Sequence, residues 1–206
     1  MGGIKHILKN LISVFDWINA RQATMRLTTK KLVGMALLIA MAILFRRVLT
    51  VHLPVGIVSL AGFPIIMAGF LYGPVSGAIV GAVSDVLGFP LWPTGPYSPF
   101  FTITAALTGF IPALFVHKTH ASRAISIWTI LIAVFTGQFI TKVLLVPYFL
   151  NILFGVPLMW KAVTNLVVEI IHTPVFALLA QSVLIAYGEM RSSTPVEDAR
   201  VNIKTS

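Results

Sequence analysis

Cysteine is missing from all 206 residues, which removes disulfide frameworks, thiolate metal sites and cysteine nucleophiles at once. Acid is scarce as well. Six Asp and Glu stand against fifteen Lys and Arg, and charged residues of both signs reach only 10%, far below the share of about a quarter usual in a soluble domain. No G-x-x-x-x-G-K-[ST] run occurs, so ATP hydrolysis by the P-loop route is excluded for this chain. No Ser–His–Asp constellation can be argued from the residues, and an enzyme is not expected. The N-terminus has no short apolar run ending in a small-residue cleavage site, so the first span is expected to insert uncleaved.

What the sequence has is apolar length. Hydrophobic residues make up 57% and mean hydropathy is +0.94, a balance that only lipid can solvate. At about 20 residues per span, the chain accommodates about six spans. The expected fold is an all-α integral membrane protein, a six-transmembrane-helix bundle preceded by an N-terminal interfacial amphipathic helix. The net charge of +9 does not indicate a nucleic-acid partner in this setting. Lys5, Lys9, Arg21, Arg26, Lys30 and Lys31 all precede the first strong span, where basic residues set orientation.

Residues 1–24 combine helical apolar spacing with too much charge to span, and read as the interfacial segment. Residues 25–190 form the membrane domain and 191–206 a polar tail. Within the domain the first span covers about Lys31 to Arg47, with Thr28 and Thr29 as possible caps, and a loop containing Pro54 follows. Gly73-Pro74 divides two short helices, about Gly62–Tyr72 and Val75–Phe89. The four prolines between Pro90 and Pro99 exclude a lipid-facing helix there. A fourth helix is predicted over about Phe101–Val116, and a polar, basic turn over His117–Arg123. The fifth covers about Ala124–Val146, stopped by Pro147. A second irregular loop spans Tyr148–Met159, and a last helix runs from about Trp160 to Tyr187.

Six spans put both termini on one side, and the N-terminal basic cluster, Lys118, Arg123 and Arg191 make that side cytoplasmic. Arg46, Arg47 and Lys161 then lie at outer helix ends against the usual bias, which points to an anion bound there.

Lys161, Asn165, Glu169 and His172 follow one another at steps of four, four and three on one helical face. Gln138 and Lys142 are four apart on the preceding helix, and Asp85 ends the third. An ionisable group facing lipid costs about 2.5–3.5 kcal/mol on insertion scales, so these faces are expected to turn inward and converge on the outer half of the bundle. A purely structural alternative has Lys142 pair with Glu169 or Asp85 to fasten helices. Trp92, Tyr97, Phe100 and Phe101 supply aromatic faces that can stack on a flat ring or form an interfacial belt. Glu169-x-x-His172 is half of a di-iron bundle motif, but the acids needed to complete it are absent, so neither metal nor cofactor is expected. Gly69, Gly73, Gly77 and Gly81 recur every fourth residue, a stripe that lets helices pack closely and carries Asp85 inward. Ala36-x-x-x-Ala40 on the first span serves either internal packing or docking of a partner helix.

The stretch Gly62-Phe-Pro-Ile-Ile-Met-Ala-Gly-Phe-Leu-Tyr-Gly-Pro-Val-Ser-Gly-Ala-Ile-Val-Gly-Ala-Val-Ser-Asp85, followed by Pro93-Thr-Gly-Pro-Tyr97 and Phe100-Phe-Thr-Ile-Thr-Ala-Ala106, resembles the S components of energy-coupling factor (ECF) transporters, and among them the folate-specific subgroup. The resemblance runs from about Met25 to Arg191. It implies a six-helix subunit that binds its vitamin from outside, beneath loops joining helices one–two, three–four and five–six. It also implies a transmembrane coupling protein and two ATP-binding subunits that drive toppling of the S component. The small-x-x-x-small motif that contacts the coupling protein in that family maps onto Ala36 and Ala40.

Folate carries a flat pterin, an aromatic linker and two carboxylates. Arg46, Arg47 and Lys161 suit the carboxylates, with arginine able to pair in bidentate fashion, while Trp92, Tyr97 and Phe100 suit the rings. Asp85 and Glu169 suit the pterin amino group, and Asn165 its carbonyl edge; Lys142 and His172 complete the candidate site. Another vitamin such as riboflavin, or a membrane scaffold whose polar residues only fasten helices, remain the alternatives.

Overall fold

The computed structural model describes residues 28–53, 56–91, 96–119 and 126–192. The predicted N-terminal segment, Trp92, Arg123 and most of the polar tail lie outside the described residues. The chain divides into two units at Gly34/Met35, and of the first only the opening turns of a helix are described. There the Thr28 carbonyl accepts from the amides of Lys31 (2.9 Å) and Leu32 (3.1 Å).

Helix α1 covers Thr29–Val48 and closes on Arg46 and Arg47, cations placed favourably against the helix dipole. The all-α expectation fails at the next segment. Instead of an irregular loop, β1 (Thr50–Leu53) and β2 (Gly56–Ser59) form an antiparallel pair with Thr50 opposite Ser59 and Val51 opposite Val58. β-Branched residues favour this pleat, and the Thr50 hydroxyl ties the base of the hairpin to Ser59 Oγ (2.7 Å) and to the Arg46 carbonyl (2.7 Å).

α2 (Gly62–Tyr72) and α3 (Pro74–Leu91) meet at Gly73, whose φ of 101° is open to glycine and strained for other residues. Pro74 begins α3, where its missing N–H costs no helical bond. α4 is Pro99–Thr119, longer at both ends than its apolar run predicts. The glycine stripe brings α2, α3 and α4 into backbone contact. A Cβ on Gly77 would stand 2.6 Å from the Gly109 carbonyl oxygen, and one on Gly81 would meet the Ala105 carbonyl. The core beside this seam is apolar, with Ile66, Met67, Val116, Val134 and Phe176 almost fully buried.

The fifth helix does not stop at Pro147. α5 (Ile127–Gln138) passes through a π-helical segment, Phe139–Leu145, into α6 (Val146–Phe154). In that segment the Val146 amide bonds the Thr141 carbonyl five residues back. The wider ring shifts the ladder so that the proline, lacking an N–H, enters a new helix near its start. The predicted loop over Tyr148–Met159 shrinks to Gly155–Pro157. Gly155 closes α6 in the left-handed conformation (φ 67°). α7 runs from Leu158 to Ser192.

Among the described residues, four stretches are long and apolar enough to cross a bilayer: Pro74–Leu91, Pro99–Val116, Ile127–Phe154 and Leu158–Tyr187. Trp128 and Trp160 are each about 70% exposed on their helices, as expected of rings that sit at a lipid interface. The protein is a mostly helical, multi-pass membrane protein.

Candidate functional site

Asp85 anchors one polar cluster. Serine and glycine on the α3 face around it, Ser84, Gly81 and Gly88, leave room for close approach, and the Asp85 side chain is only 12% exposed. Arg46 Nη1 donates to Asp85 Oδ1 at 3.0 Å, and Thr102 Oγ1 donates to Oδ2 at 2.9 Å. Asp85 therefore pairs with Arg46 from α1, and Lys142 forms no ion pair with Asp85 or Glu169 among the described residues. The sequence reading that let Lys142 pair with one of these acids is corrected. Arg46 at the end of α1 reaches Asp85 Oδ1 through a single N–H, and Thr102 takes Oδ2.

Tyr97 OH lies 2.9 Å from Thr102 Oγ1. Thr102 spends its single hydroxyl proton on Asp85, so the tyrosine is the donor. Phe89 meets the Tyr97 ring edge-on at 5.1 Å. Phe100 stacks instead on Phe149 of α6 at 4.8 Å, with Tyr148 beside it. Thr102, Tyr148 and Phe149 are site neighbours that the sequence reading missed. The four-residue turn from Ser98 into α4 makes Thr102 a visible candidate in hindsight; Tyr148 and Phe149 were hidden by the assumption that Pro147 ends the helix.

A second cluster joins the π-helical segment to α7. Asn165 Nδ2 donates to the Lys142 carbonyl at 2.7 Å, while the Lys142 side chain is half-buried. Deeper along the same face, Glu169 is 1% exposed and His172 3%, with Gln138 of α5 fully buried. Thr173 Oγ1 donates to Glu169 Oε1 at 2.8 Å. Glu169 Oε2, both His172 nitrogens and both polar atoms of the Gln138 amide have no hydrogen-bond partner among the described residues. The His172 ring lies flat on Phe176 at 5.2 Å, and Gly62 leaves the space between that ring and the Gln138 amide. Buried polar groups are nearly always bonded, so this knot of donors and acceptors is the least satisfied part of the core.

The remaining predicted positions are scattered. Lys161 is half-buried at the start of α7, Arg47 is exposed near the end of α1, and Ala36 and Ala40 are exposed along it. The structure thus brings Arg46, Asp85 and Tyr97 together in one network, and Lys142, Asn165, Glu169 and His172 along another face. Trp92 lies outside the described residues.

The family model for the ECF-type riboflavin transporter, S component, matches residues 26–188. The chain is 32% identical over 148 residues to the folate transporter FolT of Clostridium novyi (strain NT), covering 72% of this chain and 84% of that protein. Its fold is similar to the crystal structure of FolT bound with folic acid, with a TM-score of 0.63 and 27% identity over 75% of this chain and 93% of that one. It is also similar to the structure of the S component of a bacterial ECF transporter, with a TM-score of 0.58 and 21% identity over 77% and 97% of the two chains, a likeness of fold. With the membrane-spanning helices and the inward polar faces, these matches show that the chain belongs to the ECF-type riboflavin transporter S-component family.

Proposed function

We propose that this S component captures folate at the outer side of the bacterial cell membrane and delivers it inward, in complex with a transmembrane coupling protein and two ATP-binding subunits. The observation that carries the reading is the 32% identity with a folate transporter over 72% of the chain, supported by the likeness to FolT bound with folic acid. As a transporter subunit, the chain performs no covalent chemistry.

In this reading six helices cross or enter the bilayer: α1, α2, α3, α4, the continuous α5–π–α6 rod, and α7. Residues 25–190 act as the substrate-binding domain, and both termini face the cytoplasm. Arg46, Arg47 and Lys161 take the carboxylates of folate, and Trp92, Tyr97 and Phe100 its rings. Lys142, Asn165, Glu169 and His172 meet the polar edge of the pterin. Asp85 serves the site through Arg46, with which it pairs while Thr102 holds its other oxygen. The exposed Ala36 and Ala40 dock the coupling protein, where small side chains permit close helix approach.

Calorimetric titration of the detergent-purified protein with folate, riboflavin and thiamine tests the proposal. Saturable binding of folate alone is expected. Riboflavin is the second reading, favoured by the family model that matches the chain, and tight riboflavin binding would replace the vitamin while keeping the transporter. Failure of these and of a wider vitamin panel in a folded sample would favour the scaffold role.

A further inference from the structure

Arg46 extends from the last turn of α1, with its side chain 42% exposed, to a carboxylate on α3 that is only 12% exposed. An arginine on a helix end has many rotamers, and holding one of them costs entropy. Here the cost is offset by a chain of hydrogen bonds across three segments. Asp85 Oδ1 accepts from Arg46 at 3.0 Å, Oδ2 accepts from Thr102 at 2.9 Å, and Tyr97 closes the chain on Thr102 at 2.9 Å. Gly88, one turn beyond Asp85, lies beside this contact: a Cβ there would stand 3.9 Å from Arg46 Nη1, at ordinary van der Waals distance.

The carboxylate has no oxygen left without a donor, whereas a guanidinium has several N–H groups and only Nη1 is committed to Asp85. Arg46 thus remains able to receive an anion from the exposed side while Asp85 holds its Nη1 end. We propose that Thr102 is a positioning residue for Arg46, acting through Asp85, so that the guanidinium stands preset for an anionic group of the substrate. The inference rests on the folate reading and deepens it. It assigns Asp85 to orientation and gives Thr102 a role in affinity without substrate contact. The same hydroxyl parks the Tyr97 ring at the mouth of the cluster, which couples the ring and the cation to a single residue.

A double-mutant cycle tests this, with folate titrated into the purified full-length chain. Thr102→Val keeps the shape and removes the hydroxyl, and is expected to weaken folate binding about tenfold, the scale of a hydrogen bond to a charged group. Thr102→Ser restores the donor and is expected to bind like the wild type. In an Arg46→Ala background, Thr102→Val is expected to cost much less than in the wild type, leaving only what the Tyr97 contact contributes, because residues acting through one another are not additive. Thermal unfolding of each variant, read alongside, shows that the comparison is between folded proteins. The proposal is overturned if Thr102→Val binds as the wild type, if Thr102→Ser behaves like Thr102→Val, or if the valine costs as much without Arg46 as with it. A folded wild type that takes no folate overturns the substrate reading itself, and this inference with it.

Discussion

The side-chain amide of Asn165 donates to the backbone carbonyl of Lys142 at 2.7 Å, across 23 positions of sequence. The bond has a definite cause. In the π-helical segment each carbonyl waits for the amide five residues on, and for Lys142 that residue is Pro147, which has none. Val146 is already bonded to Thr141. The Lys142 carbonyl would be orphaned at membrane depth, where no water replaces the lost partner, and Asn165 supplies the donor from the adjoining helix.

Asn165→Leu should therefore destabilise the protein by about 1–3 kcal/mol, the cost of a buried polar group left unpaired. Thermal unfolding in detergent is the check. A midpoint equal to that of the wild type would show that the carbonyl finds another donor.

The glycine seam makes a paired prediction. Gly77→Ala places a methyl 2.6 Å from the Gly109 carbonyl oxygen, against backbone that cannot give way cheaply, whereas Gly88→Ala meets nothing closer than Ile43 Cγ1 at 3.7 Å. The first substitution should cost about 1–3 kcal/mol or more as overpacking, and the second should be nearly neutral, since Arg46 Nη1, its other neighbour, stands at 3.9 Å. Chemical or thermal unfolding of the two variants side by side reads the difference, and equal stabilities would refute close contact of α3 and α4.

Gln138 is fully buried with neither polar atom bonded among the described residues. Leucine has a similar volume and no polar group to strand, so Gln138→Leu should raise the ligand-free stability by about 1 kcal/mol. A marked fall in the melting temperature would instead reveal that the amide is satisfied in the ligand-free protein.

Ala36 and Ala40 lie exposed on α1 beside the exposed Leu37 and Leu44. Replacing both by tryptophan should leave folate titration of the isolated chain unchanged, because neither faces the polar clusters, and should abolish uptake by blocking close helix contact. Retained uptake in cells supplying the partner subunits would remove this face from the coupling interface.

Much of the layout was legible in advance because it depends on local pattern. Gly73-Pro74 announced the break between α2 and α3, and the four-residue glycine spacing announced a face without side chains. The same periodicity turned Asp85, Glu169 and His172 inward. The departures have two physical origins. Pro147 was read as a terminator by its local chemistry, but a π-helical register and a side-chain donor from a distant helix remove the penalty. The hairpin at Thr50–Ser59 was likewise hidden among residues whose short run gave no alternation long enough to distinguish a strand from a loop.

Hydropathy and helical period act within a few turns of backbone, so the residues alone place this chain in lipid, make it mostly helical and tell which helix faces carry charge. Which charges meet depends on contacts between distant segments. Arg46 and Asp85 are 39 positions apart, and Lys142 was an equally good partner for that acid on composition alone. Their pairing follows from the end of α1 lying beside Gly88 of α3, where Ile43 and Arg46 are its neighbours, because an ion pair forms where the fold brings two groups within bonding distance, whatever their separation along the chain.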